Sequence, residues 1–317
     1  MIRSLTLAAM LMTALPAVAA PEPEMIKLPT GSTLASWSIA ADTPSHKTPV
    51  IFLHGGPGMY TEDRRFDEGR VIRAAGFPMV YFDQAGGGRS PDIAARDYTL
   101  DRAVADLEAL RIAKRQDKII LWGNSWGASL AVLYAAQHPD RVAGLILTSP
   151  GSLPGFSKAR DYSRTNRGKV TFGKPLQKAA AQIDRDGAAA ESKLSQDEAG
   201  KLFDSIIGSE LIDGMQCKGK PMPDVALPGG GNLYANRILQ KALKAAKPPV
   251  IAGAKIPSLI IRGTCDFIAE DNALAYQKML GGTYVIVPDS GHGLYDNRTV
   301  VDKAITDFAN ISLAKLP

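Results

Sequence analysis

Lys118-Ile119-Ile120-Leu121-Trp122, Gly123-Asn124-Ser125-Trp126-Gly127 and Ala128-Ser129-Leu130-Ala131-Val132-Leu133-Tyr134 follow one another without a gap. The first reads as a buried strand, the last as a helix, and between them lies a G-x-S-x-G turn. That context turns a loose pattern into a specific one. The two glycines are needed because side chains flanking the serine would collide with the neighbouring strand and helix. Such a turn holds the serine hydroxyl clear of the sheet, and the following helix aims its N-terminal N–H groups at nearby developing charge. Ser125 is therefore the candidate nucleophile.

Working outward, the other parts occur in the order Ser, acid, His that the α/β-hydrolase fold uses. Pro257-Ser258-Leu259-Ile260-Ile261-Arg262-Gly263 reads as a strand, and Asp266 follows it. Thr283-Tyr284-Val285-Ile286-Val287-Pro288 reads as the next strand, with His292 in the loop beyond. Ligands and catalytic groups gather at the carboxyl ends of parallel strands, so topology alone brings the three to one edge. Only four histidines compete. His46 lies in a polar stretch and reads as solvated loop, and His138 precedes Pro139 at a helix end, where it can cap carbonyls. His54 reads as a loop-orienting residue, which leaves His292 as the general base. Asp289 is too near His292 to come from a separate strand end, and Asp271 reads as opening a helix. Asp266 is the candidate acid.

His54-Gly55-Gly56-Pro57-Gly58 follows the strand Val50-Ile51-Phe52-Leu53. Successive glycines let backbone N–H groups approach a substrate oxygen. One oxyanion donor is expected at the Trp126 amide and the second here, at Gly56 in preference to Gly55. In this mechanism His292 takes the proton of Ser125, Asp266 fixes the imidazole tautomer, and an acyl-enzyme forms and is hydrolysed. No cofactor is called for, and the Cys, His and acid spacing gives no zinc site.

Taken together, His54-Gly55-Gly56-Pro57-Gly58, Phe82-Asp83-Gln84-Ala85-Gly86-Gly87-Gly88-Arg89-Ser90 and Gly123-Asn124-Ser125-Trp126-Gly127 resemble the prolyl iminopeptidase family of serine peptidases. The likeness continues through Gly263-Thr264-Cys265-Asp266 and Pro288-Asp289-Ser290-Gly291-His292. The resemblance implies a Ser125, Asp266, His292 triad and release of an N-terminal residue, preferably proline, from a peptide. Two departures stand out. Ala85 occupies a position where the family usually carries arginine. The nearest counterpart of the family's acidic, aromatic cap stretch, Gly231-Asn232-Leu233-Tyr234-Ala235-Asn236-Arg237, has no acid. Acids elsewhere in the cap include Asp204, Glu210 and Asp213. An esterase or lactonase acting on small esters is thus the competing expectation, with a non-catalytic ligand-binding protein a distant third.

The chain has 317 residues, of which 45% are apolar, enough for one large core or two smaller ones. Residues 1–19 combine a basic start, a short apolar run and Ala17-Val18-Ala19, the pattern of a signal peptide too short to span a membrane comfortably. The mature protein is expected to be secreted or periplasmic, without stable membrane insertion. Removing Arg3 lowers the formal charge from +5 to +4 (5 − 1), and the basic residues form no stripe, which excludes a nucleic-acid partner. The expected partner is a small peptide or ester substrate. Residues 20–150 and 253–317 read as the catalytic α/β domain, with a mainly parallel sheet flanked by helices. Residues 151–252, polar and alanine-rich, read as an inserted helical cap. Cys217 in the cap and Cys265 beside Asp266 are either bridged or two buried thiols; a bridge needs Cα atoms within ~7 Å, which spacing does not fix.

Overall fold

The structure is a computed structural model, and it describes residues 21–156, 173–207, 215–221, 229–251 and 255–315. Residues 1–19, the expected signal peptide, and Glu210 and Asp213 of the expected cap lie outside the described residues.

Eight strands form one sheet: β1 (Glu24–Lys27), β2 (Thr33–Ile39), β3 (Val50–Leu53), β4 (Met79–Phe82), β5 (Ile119–Asn124), β6 (Val142–Thr148), β7 (Ser258–Gly263) and β8 (Thr283–Val287). Their order is β1-β2-β4-β3-β5-β6-β7-β8. β1 and β2 pair antiparallel, β2 pairs antiparallel with β4, and every other pairing is parallel. The all-apolar β3 and β4 are buried throughout, as strands covered on both faces require. Alternation sends Ile51 and Leu53 to one face and Val50 and Phe52 to the other.

The helices are α1 (Arg64–Glu68), α2 (Arg70–Ala74), α3 (Leu100–Ala113), α4 (Trp126–Gln137), α5 (Lys174–Asp186), α6 (Gln196–Ile207), α7 (Leu233–Ala245), α8 (Glu270–Leu280) and α9 (Arg298–Phe308). One face of the sheet packs on Val104, Leu107 and Leu110 of α3 and on Leu130 and Tyr134 of α4. The other packs on Ile72 of α2 and on Val301, Ile305 and Phe308 of α9. Helices α5, α6 and α7 lie between β6 and β7 in the chain. Their buried residues, including Leu176, Ile183, Phe203, Leu239 and Leu243, join the first core cluster instead of forming a separate one.

Local signals explain the helix starts. Thr99 caps α3 by accepting from Arg102 N–H at 3.0 Å, and Asn232 caps α7 by accepting from Ala235 N–H at 2.7 Å. Ser195 and Glu198 close a capping box at α6, the Ser195 amide donating to Glu198 Oε2 at 3.0 Å. Helix α8 begins at Glu270, one residue before the expected Asp271. His46 departs from the expected solvated loop: its ring stacks on Phe77 with centroids 3.9 Å apart, and its amide donates to Gly76 O. The polar neighbours of His46 concealed the fact that its own ring is a flat surface that fits another. No helix among the described residues is long and apolar enough to cross a membrane.

Candidate active site

Ser125 stands between β5 and α4 with φ 52° and ψ −118°, a conformation that a non-glycine residue adopts only where its surroundings force it. The glycines on either side show that force. A Cβ on Gly123 would lie 2.5 Å from the Gly127 carbonyl carbon, and one on Gly127 would lie 2.0 Å from Leu53 O. Neither contact can be relieved by turning a side chain, because both partners are backbone. Gly127→Ala is therefore expected to destabilise the protein by roughly 2–3 kcal/mol, measured by urea unfolding. A variant as stable as the parent would show that the elbow is loosely packed.

The elbow is braced from behind. Ser125 N–H donates to Thr148 O at 3.1 Å, and Asn124 Nδ2 donates to the same oxygen at 3.2 Å. Asn124 Oδ1 accepts from Arg65 Nη2 at 2.9 Å. Arg65 is buried and pairs with Glu68 at 2.7 Å. Burial alone would raise the Glu68 carboxyl, but Arg65, Arg64 and Arg298 together bring it down to about 2. No sequence spacing pointed to Arg65, which sits in the charged run Glu62-Asp63-Arg64-Arg65 like any surface residue.

Asp266 follows β7 and His292 follows β8, and they meet: His292 Nδ1 donates to Asp266 Oδ1 at 2.8 Å. The same oxygen accepts from Ile268 N–H at 2.8 Å, and both residues are buried. With Nδ1 committed to the carboxylate, the free nitrogen of His292 is Nε2. The Phe267 ring packs on the imidazole, centroids 4.4 Å apart. Ser125 is brought to the same sheet edge by topology; the Asp266–His292 pair is joined by a hydrogen bond. His138 closes α4, its amide donating to Tyr134 O and its ring lying 4.8 Å from that of Tyr134.

The His54–Gly58 loop leaves β3 beside the elbow. A Cβ on Gly55 would stand 3.1 Å from Ser125 Cβ, and Gly56 has φ +121°, which only glycine adopts freely. Neither Gly56 N–H nor Trp126 N–H donates to a backbone partner outside its own helix among the described residues. His54 is buried, its Nδ1 donating to Gly55 O at 2.9 Å and its Nε2 accepting from Gln84 N–H at 2.9 Å. Burial lowers its pKa, with Asp83 opposing and Arg65 assisting. A histidine held below its ordinary value of 6.5 charges more readily in the unfolded chain. The stability it contributes is complete above 6.5 and is lost as pH falls from there toward the folded value. The melting temperature of the native protein should accordingly fall more steeply below pH 6.5 than that of a His54→Gln variant. Parallel curves would remove His54 from the explanation.

Residues 230–236, between β6 and β7 in the chain, bond to this loop and to the one after β4. Asn232 N–H donates to Gly58 O at 2.7 Å, Asn236 Nδ2 to Pro57 O at 2.9 Å, and Gly88 N–H to Gly230 O at 2.8 Å. A second segment, residues 215–221, touches the loops that carry Asp266 and His292. His292 N–H donates to Met215 O at 2.7 Å, and Cys217 is disulfide-bonded to Cys265 with Cα atoms 5.1 Å apart.

The alpha/beta hydrolase fold family model matches residues 48–299. The chain belongs to that family. Within it the chain is similar to proline iminopeptidases: 45% identical over 102 residues to that of Neisseria gonorrhoeae (31% of each chain). The enzyme of Lactiplantibacillus plantarum is 34% identical over 148 residues, which is 45% of this chain and 49% of the relative. The matches thus span less than half the length of these relatives. Among solved structures, an esterase from Exiguobacterium antarcticum superposes with TM-score 0.61 at 19% identity, covering 90% of this chain and 99% of the other. A proline iminopeptidase-related protein from Thermus thermophilus gives TM-score 0.60 at 19% identity, over 93% and 100%. An enol-lactonase from Burkholderia xenovorans gives 0.59 at 19%, over 90% and 99%. At these identities the structural neighbours speak for the fold alone.

Proposed function

We propose that this α/β-hydrolase is an exported serine hydrolase of aminopeptidase type, releasing N-terminal proline or another small residue from peptides. The hydrogen-bonded Asp266–His292 pair on the sheet edge that carries the strained Ser125 supports this reading best. In it, His292 Nε2 accepts the Ser125 proton as the hydroxyl attacks a carbonyl carbon. Asp266 holds Nδ1 protonated and stabilises the imidazolium. The Trp126 and Gly56 amides receive the tetrahedral oxyanion. His292 then protonates the leaving amine or alcohol, and water, activated by the same nitrogen, releases the acyl group. The motifs shared with proline iminopeptidases support the peptide specificity. The Cys217–Cys265 bridge supports export, since disulfides persist in oxidising compartments.

A second reading, an esterase or lactonase, is favoured by one observation. Each described carboxylate between residues 173 and 251 already has a partner. Asp204 accepts from Gly230 and Gly231 amides, Asp184 pairs with Arg237, and Asp186 with Arg185. Glu191 accepts from Gln196, Asp197 pairs with Lys201, and Glu198 serves the capping box. An aminopeptidase needs a carboxylate for the substrate's amino group. Hydrolysis of a proline arylamide beside a short-chain p-nitrophenyl ester, with Ser125→Ala as control, separates the two. Arylamide turnover that disappears in the control supports the aminopeptidase, whereas Ser125-dependent ester turnover alone supports the esterase.

A further inference from the structure

We propose that Gln84 is a positioning residue that locks the two halves of the oxyanion hole together. This rests on the reading of Gly56 and Trp126 as its donors. Those donors belong to separate segments, the loop after β3 and the start of α4. Their separation must stay fixed to within a fraction of an ångström for both to reach one oxygen.

Gln84, two residues past β4, contacts both segments. Its side-chain Oε1 accepts from Trp126 Nε1 at 2.8 Å, and its Nε2 donates to His54 O at 3.2 Å. An indole only donates and a carbonyl only accepts, so the amide has one orientation that satisfies both. Its backbone N–H adds the third bond, to His54 Nε2. Because that nitrogen accepts, the proton of the neutral imidazole sits on Nδ1, which donates to Gly55 O.

The consequence passes through peptide geometry. In a planar trans peptide the C=O and the following N–H point in opposite directions. The His54–Gly55 and Gly55–Gly56 bonds are trans. Fixing His54 O therefore fixes the direction of Gly55 N–H, and fixing Gly55 O fixes that of Gly56 N–H. The Gln84 side chain holds the first peptide and the Trp126 ring. The residue's main-chain N–H, which the substitutions below leave in place, sets the His54 tautomer and through it the second peptide. With the other end of its side chain Gln84 anchors the residue that supplies the second donor.

The test compares Gln84→Leu and Gln84→Glu with the parent. Leucine removes both side-chain bonds; an ionised glutamate keeps the acceptor for the indole and sets a charge against His54 O. Both should lower kcat by about 10- to 100-fold with KM within about twofold. The affinity for a boronic acid, whose tetrahedral adduct fills the oxyanion site, should fall by the same factor. A kcat loss without a matching loss of boronate affinity, or no kcat loss, overturns the proposal. The Trp126 indole 1H–15N signal gives a readout independent of turnover: it should move upfield in Gln84→Leu and stay near its parental position in Gln84→Glu. An unmoved signal in Gln84→Leu also overturns the proposal. Should Ser125→Ala retain turnover, the reading of Ser125 as nucleophile fails, while the indole signal still reports whether Gln84 holds the ring.

Discussion

Alanine at Ser125 or at His292 is expected to lower kcat by about 10⁶-fold, and at Asp266 by about 10⁴-fold, on whichever substrate class the enzyme takes. The triple variant should be no slower than the worst single one. The proposed triad acts as a unit: without Ser125 there is no acyl-enzyme, and without His292 the serine proton has no acceptor. Asp266 ranks below them because its part is indirect. It holds Nδ1–H through a 2.8 Å bond and offsets the charge that develops on a buried ring. The residual rate of the triple variant would measure what the Gly56 and Trp126 amides achieve alone. Steady-state kinetics on the ester and the arylamide, with parental melting curves as the folding control, checks the series. Additive losses, or an Asp266→Ala rate near that of the parent, would remove Asp266 from the mechanism.

The second large effect concerns the bridge. Cys217 and Cys265 are separated by 48 residues, and opening a loop of that length costs about 4 kcal/mol in the chain-entropy account. The paired Cys217→Ser, Cys265→Ser variant should therefore melt roughly 8–12 °C below the parent. The parent treated with reductant should melt with the variant. Activity should decline as well, because the segment that the bridge fastens also accepts the His292 amide through Met215 O. Loss of the anchor frees the loops of both Asp266 and His292. A melting point unchanged by reductant would mean that the loops hold 215–221 in place without the covalent link.

Much of the fold was legible because buried parallel strands leave unbroken apolar runs. Val50–Leu53 begins and ends where the apolar run indicated. β6 starts at Val142, directly after the helical turn Pro139–Arg141. The pairing of Val142 with Ile119 extends it. The scarcity of histidine made His292 stand out, and the structure places it on Asp266. Arg65 and Gln84 were not legible. Their roles come from bonds to residues 59 and 30 to 42 positions away, and a single polar residue has no periodicity to reveal it. The cysteine pair was visible but undecided, because spacing carries no Cα distance.

Residues 229–236 bond to main-chain atoms of the neighbouring loops at Gly58 O, Pro57 O and the Gly88 amide, and to side chains at Tyr60 Oη, Asp92 Oδ1 and Tyr98 Oη. Main-chain groups are the same whatever side chains surround them. The two bonds that are main chain on both sides, at Gly58 and Gly88, survive a change of side chains, whereas those made by the Asn232 and Asn236 side chains do not. The junction is thus half generic and half particular: a replacement segment would need an amide opposite Gly58 and a carbonyl opposite Gly88, and also donors for Tyr60, Asp92 and Tyr98.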